Sequence, residues 1–104
     1  MNDFGLPAKI LTEIKEVLHM YPGINSAKIF GSRAKGNHKR YSDVDIALYA
    51  EADQNLTANV KDALDDLDAI YNFDVILYNE ITNEDIKSHI DRIGVEFFIK
   101  RRIT

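Results

Sequence analysis

The stretch GSRAKGNHKRYSDVDIAL, residues 31–48, decides how this chain is read. Gly31-Ser32 follows directly on a short strand signal at residues 27–30. Arg33, Ala34 and Lys35 favour a helix start, and Gly36 and Asn37 are turn residues. The stretch then closes on alternation, with Val44, Ile46 and Leu48 set against Asp43, Asp45, Ala47 and Tyr49. A period of two predicts a strand with one face in the core. The layout is therefore strand, tight turn, short helix start, loop and strand.

Each end of that stretch carries chemistry. Asp43 and Asp45 lie two apart on a strand, so they share a face with Cα atoms about 6–7 Å apart. Two anions held together repel unless a cation sits between them. Oxygen donors alone suit a hard ion such as Mg²⁺. At the other end Gly31 lets a phosphate approach the backbone closely. Ser32 can donate its hydroxyl, and Arg33 can add a charged fork. Taken singly, an Asp-x-Asp pair is an ordinary solvated strand start and a Gly-Ser is an ordinary turn. Four fixed positions at about one in twenty each should arise by chance in fewer than roughly one chain per thousand of this length.

On the N-terminal side, Pro7 suits the first turn of a helix, with Ile10, Leu11, Ile14, Val17, Leu18 and Tyr21 as its apolar stripe. Pro22-Gly23 stops it. On the C-terminal side, Asn55 or Thr57 caps a second helix with stripe Val60, Ala63, Leu64, Leu67 and Ile70. Residues 73–78 form a third strand, which Asp74 interrupts. A lone Asp in such an apolar run joins the same carboxylate cluster if this strand lies beside the second. Three carboxylates fit a two-metal site for phosphoryl or nucleotidyl transfer. Thr82 or Asn83 caps a last helix with stripe Ile86, Ile90, Ile93 and Phe97. This order predicts an α/β (α+β) two-layer sandwich, a small mixed sheet flanked by helices. At 104 residues it is one domain, spanning 1–104.

Composition narrows the function classes. There is no cysteine, which excludes a disulfide scaffold, a thiol nucleophile and a cysteine-ligated metal. No apolar run is long enough to span a bilayer, and the first residues carry no signal peptide, which fits the cytoplasm. Net charge is −4, so a long polyanion is a poor partner and no direct nucleic-acid contact is expected. The charge is uneven. Residues 1–40 carry seven Lys/Arg against three Asp/Glu, and residues 41–104 carry six against fourteen. Lys28, Arg33, Lys35, Lys39 and Arg40 form a local basic run that suits a small anion.

The segment GSRAKGNHKRYSDVDIAL, with the third Asp in FDVILYN, resembles the signature of the DNA polymerase beta-type nucleotidyltransferase superfamily, in its minimal nucleotidyltransferase (MNT) branch. The closing IDRIGVEFF segment is also similar to the last helix of that branch. The resemblance implies the nucleotidyltransferase fold. It implies that Gly31 and Ser32 hold the β and γ phosphates of ATP, assisted by Arg33. It further implies that Asp43 and Asp45 bind two Mg²⁺, and that Asp74 binds one of them and helps deprotonate an acceptor hydroxyl. The branch's members neutralise a HEPN-domain toxin, an all-helical ribonuclease, in type VII toxin–antitoxin pairs by adding AMP to a toxin tyrosine. The resemblance implies the same partner and role here. Two rivals stay open, a binding antitoxin that merely covers its toxin and transfer to a small molecule.

Other signals are set aside. Gly31-x4-Gly36 has P-loop glycine spacing, but Asn37-His38 replaces Lys-Ser/Thr. Arg33-x4-His38 matches a HEPN spacing but sits in a loop between strands. His19, His38 and His89 are scattered without ligand partners, which argues against zinc. Tyr49 and Tyr78 read as strand packing. In the tail, Phe97, Phe98, Ile99 and Ile103 beside Lys100, Arg101 and Arg102 suggest a protein interface.

Overall fold

The computed structural model describes residues 3–51, 55–67 and 70–100. Helix α1 spans Ala8–His19 and buries Ile10, Ile14, Val17 and Leu18, with Pro7 as its N-cap. Strand β1 spans Ile24–Phe30, a short helix α2 spans Gly31–Lys35, and strand β2 spans Val44–Ala50. Helix α3 spans Leu56–Asp65 behind Asn55, and strand β3 spans Phe73–Leu77. After one 3-10 turn, helix α4 runs over Glu84–Ile93 and strand β4 over Val95–Ile99.

The strands form one sheet in the order β3-β2-β1-β4. β1 is antiparallel to both of its neighbours, whereas β2 and β3 are parallel. The small mixed sheet flanked by helices is thus as expected. Val44, Ile46 and Leu48 of β2 join Ile14 and Leu18 of α1 and Val60 and Leu64 of α3 in one core, as the alternation predicts. The opposite face of β2 carries Asp45, Ala47 and Tyr49, and α4, whose Ile90 is fully buried, packs against β1 and α2. Tyr78 donates to Asp91 Oδ1 at 2.6 Å and so fastens the end of β3 to α4. That bond, with burial and nearby acids, pushes the Tyr78 phenol up to about 12.

Three expectations need correction. β1 begins at Ile24, three residues before the predicted start, because a central strand is held by pairing on both edges even through polar Asn25 and Ser26. Phe97 is not on the last helix. α4 ends at Gly94, where a Cβ would meet the Ile90 carbonyl oxygen at 2.5 Å, and the chain turns into β4 along β1. IDRIGVEFF is therefore half helix and half strand. Ile70 does not belong to the α3 stripe, since α3 ends at Asp65 and Ile70 stands 69% exposed.

The tail divides likewise. Phe98 is buried, Phe97 meets Phe4 edge-on, and Ile99 is exposed. Arg101, Arg102 and Ile103 lie outside the described residues. Asn83 caps α4 by accepting from the amides of Asp85 and Ile86, with Glu84 and Asp85 in the first turn where the helix dipole favours anions. Among the described residues no helix is long and apolar enough to cross a membrane.

Candidate active site

Parallel pairing of β2 with β3 sets Asp45 directly opposite Asp74. Paired residues project to one side of a sheet, so these two carboxylates are neighbours although 29 positions separate them in the chain. Asp43 stands just before β2, two residues from Asp45. The electrostatics register the cluster. Burial pushes the Asp45 carboxyl up to about 6, and the negative charges of Asp74 and Asp43 add to the rise. Asp43 and Asp74 are exposed and Asp45 is half-buried, so the cluster forms an open rim at the start of two strands.

Gly31 explains how the turn meets that cluster. It closes β1 at φ +72, a left-handed conformation that glycine adopts without strain. A Cβ there would collide with the Asp45 carboxylate. The turn and the central aspartate therefore touch, and only a residue without a side chain permits it. Ser32 follows, half-buried, and its carbonyl accepts the amides of Gly36 and Asn37 at 3.0 and 3.2 Å.

Arg33 does not stand with them. It is 1% exposed, and its guanidinium is spent on backbone carbonyls. Nε donates to Ser42 O at 3.1 Å, Nη1 to Phe4 O at 2.8 Å, and Nη2 to Arg40 O at 3.2 Å and Ser42 O at 2.9 Å. The Tyr71 ring lies 5.0 Å from its Cζ. Burial lowers its pKa and Tyr71 works the other way. The expected phosphate fork is thus an internal staple. It joins the N-terminal segment to the loop that delivers Asp43, because the fork geometry matches several carbonyls at once.

The basic run is correspondingly dispersed. Lys28 lies over the Tyr49 ring at 5.4 Å and Arg40 over Tyr41 at 5.4 Å, while Lys35 and Lys39 are exposed. Tyr49 and Tyr78 stack on each other, with centroids 4.6 Å apart, as packing predicts. Reading the sequence missed one residue here. His89 of α4 accepts the Gly31 amide hydrogen on Nε2 at 3.2 Å. Its distance along the chain left no local signal. A cavity of about 430 Å³ opens elsewhere, beside β3, lined by Val75, Ile76, Ile81 and Ile86. It contains none of the three aspartates.

The carboxylates suit a hard divalent cation in their chemistry, being all-oxygen and mutually repelling. As placed, no three Asp, Glu or His groups among the described residues are gathered closely enough to hold one ion. Burial is the main cause of the raised Asp45 pKa, and the charges of Asp74 and Asp43, which a cation would offset, add to it. In donor type, though not in their present spacing, Asp43, Asp45 and Asp74 match what such an ion takes.

Comparison with known proteins identifies the family. The family profile described as "Polymerase beta, Nucleotidyltransferase" matches residues 12–103. A protein of Haemophilus influenzae described as "Probable protein adenylyltransferase MntA" is 30% identical over 87 residues, 82% of this chain and 75% of its own. A crystal structure of a toxin–antitoxin with AMP-PNP is similar at a TM-score of 0.68 and 22% identity, over 83% of this chain and 70% of that one. A complex of tri-AMPylated Shewanella oneidensis HEPN toxin with MNT antitoxin is similar at 0.63 and 21%, over 85% and 68%. The chain belongs to the polymerase beta nucleotidyltransferase family, and it is a nucleotidyltransferase.

Proposed function

We propose that the protein is a Mg²⁺-dependent protein adenylyltransferase and an antitoxin, one domain over residues 1–104 that acts in the cytoplasm. It moves AMP from ATP to a tyrosine hydroxyl of a HEPN toxin. The observation that carries this is the register of β2 on β3, which brings Asp74 to Asp45 beside the Gly31 turn. The similarity to MntA of Haemophilus influenzae supports the choice of acceptor class. So does the similarity to the HEPN–MNT complex, whose toxin is tri-AMPylated.

Gly31 leaves its backbone open to the polyphosphate, and the Ser32 hydroxyl donates to a phosphate oxygen. Asp43, Asp45 and Asp74 would hold the two Mg²⁺ ions. When bound, those ions supply positive charge against the entering and leaving oxygens of an in-line displacement. Asp74, exposed at the sheet edge, takes the proton of the acceptor hydroxyl. A bond forms between that oxygen and the α-phosphorus, the bond to the β-phosphate bridge breaks, and pyrophosphate leaves.

The test is intact-mass spectrometry of a HEPN toxin incubated with the protein, ATP and Mg²⁺. Expected are adducts of one or more AMP on the toxin, absent with EDTA and absent with Asp45→Asn. A toxin neutralised without an adduct, equally well by Asp43→Asn, would favour simple covering. AMP transfer that needs no protein acceptor would favour a small molecule. Ser32→Ala should weaken ATP binding by about 1–3 kcal/mol, the range for a hydrogen bond to a charged group. An unchanged dissociation constant removes Ser32 from the site.

A further inference from the structure

His89 sits in the middle of α4, half-buried, with its ring edge-on to Phe30 at 6.2 Å between centroids. Its Nε2 accepts the N–H of Gly31 at 3.2 Å, across 58 positions of chain. Gly31 is thereby held from two sides. The Asp45 carboxylate occupies the space where a Cβ would be, and His89 takes the amide. The second contact matters because glycine has the widest backbone freedom of any residue. A turn built on it at φ +72 needs an outside partner to keep one peptide orientation.

We propose that His89 is a positioning residue of the transfer site. Its Nε2 lone pair fixes the Gly31 peptide, and through it the placement of Ser32 for the triphosphate. This rests on the reading of Gly31-Ser32 as the triphosphate turn. A neutral imidazole has one N–H and one lone pair, so with Nε2 accepting, the proton is on Nδ1.

Two substitutions separate acceptor from ring. His89→Gln retains an acceptor at similar reach and loses the ring against Phe30. His89→Phe retains a ring and loses the acceptor. If the lone pair is what counts, His89→Phe raises the KM for ATP about three- to tenfold, the equivalent of one neutral hydrogen bond, with kcat little changed. His89→Gln then stays within about twofold of wild type. NMR should show Nδ1 protonated in the metal-free protein. The Gly31 amide should exchange slowly in wild type and His89→Gln and faster in His89→Phe, at similar melting temperatures.

The opposite pattern, rescue by Phe and not by Gln, overturns the proposal in favour of packing. So does an Nε2-protonated ring, or Gly31 exchange that ignores the substitution. A wild-type protein that binds no ATP overturns the reading of the turn, and the positioning role with it. Normal wild-type transfer matched by His89→Phe overturns the positioning role alone.

Discussion

Asp45 takes its character from its surroundings at the residue scale, and two predictions belong there. Half-buried and facing two other carboxylates, it holds its proton up to about pH 6 in the metal-free protein. A carboxyl whose pKa rises on folding stabilises the fold only while it is protonated. Its contribution is complete below the unfolded value near 4, shrinks as pH rises, and is gone above about 6. Asp45→Asn should therefore abolish transfer yet raise metal-free stability at pH 7.5, on the order of 1 kcal/mol after solvent screening. At pH 4 the gain should vanish. Thermal denaturation in EDTA at the two pH values checks both halves. Gly31→Ala combines a left-handed φ with a collision at the Asp45 carboxylate. It should cost about 1–2 kcal/mol from the backbone alone and stop transfer, which melting and adduct formation would show.

Elements decide where those residues stand. Helix α2 is only five residues long, and its central Arg33 holds the following loop by three hydrogen bonds to the Arg40 and Ser42 carbonyls and the N-terminal segment by one to the Phe4 carbonyl. Arg33→Met would remove the side-chain donor of the buried Phe4 carbonyl and of the part-buried Arg40 and Ser42 carbonyls. It should destabilise the protein by about 2–4 kcal/mol and lower transfer by misplacing Asp43, as measured by urea unfolding and initial rates. Arg33→Lys retains the charge but not the fork, so it should recover only part of the stability. The α4–β4 junction gives a second test. Phe98 points into the core and Ile99 to solvent, as on a strand. Phe98→Ala should cost about 3–4 kcal/mol, whereas Ile99→Asp should be nearly neutral, and chemical denaturation of both variants would show the difference.

At the scale of the whole molecule, the sheet order β3-β2-β1-β4 is what assembles the site. The Gly-Ser turn and the Asp43–Asp45 pair were legible in sequence. They lie within 18 consecutive residues, and turn chemistry and alternation are local properties. The stripe of α1 and the face of β2 that enters the core were legible for the same reason. Asp74 could be singled out as a polar interruption in an apolar run. Its place beside Asp45 depends on parallel pairing, which no local pattern encodes. Arg33 was read as a phosphate fork because where a long side chain ends is not a local property, and only the folded chain brings the Phe4, Arg40 and Ser42 carbonyls together on it. His89 was overlooked because its partner lies 58 residues away. β4 was taken for helix because the apolar spacing runs on past Gly94, whereas what makes it a strand is its pairing with distant β1. Short-range covalent neighbours thus specified which chemistry the chain carries. Long-range pairing, whose outcome depends on burial and hydrogen bonds between distant segments, decided which of those groups meet.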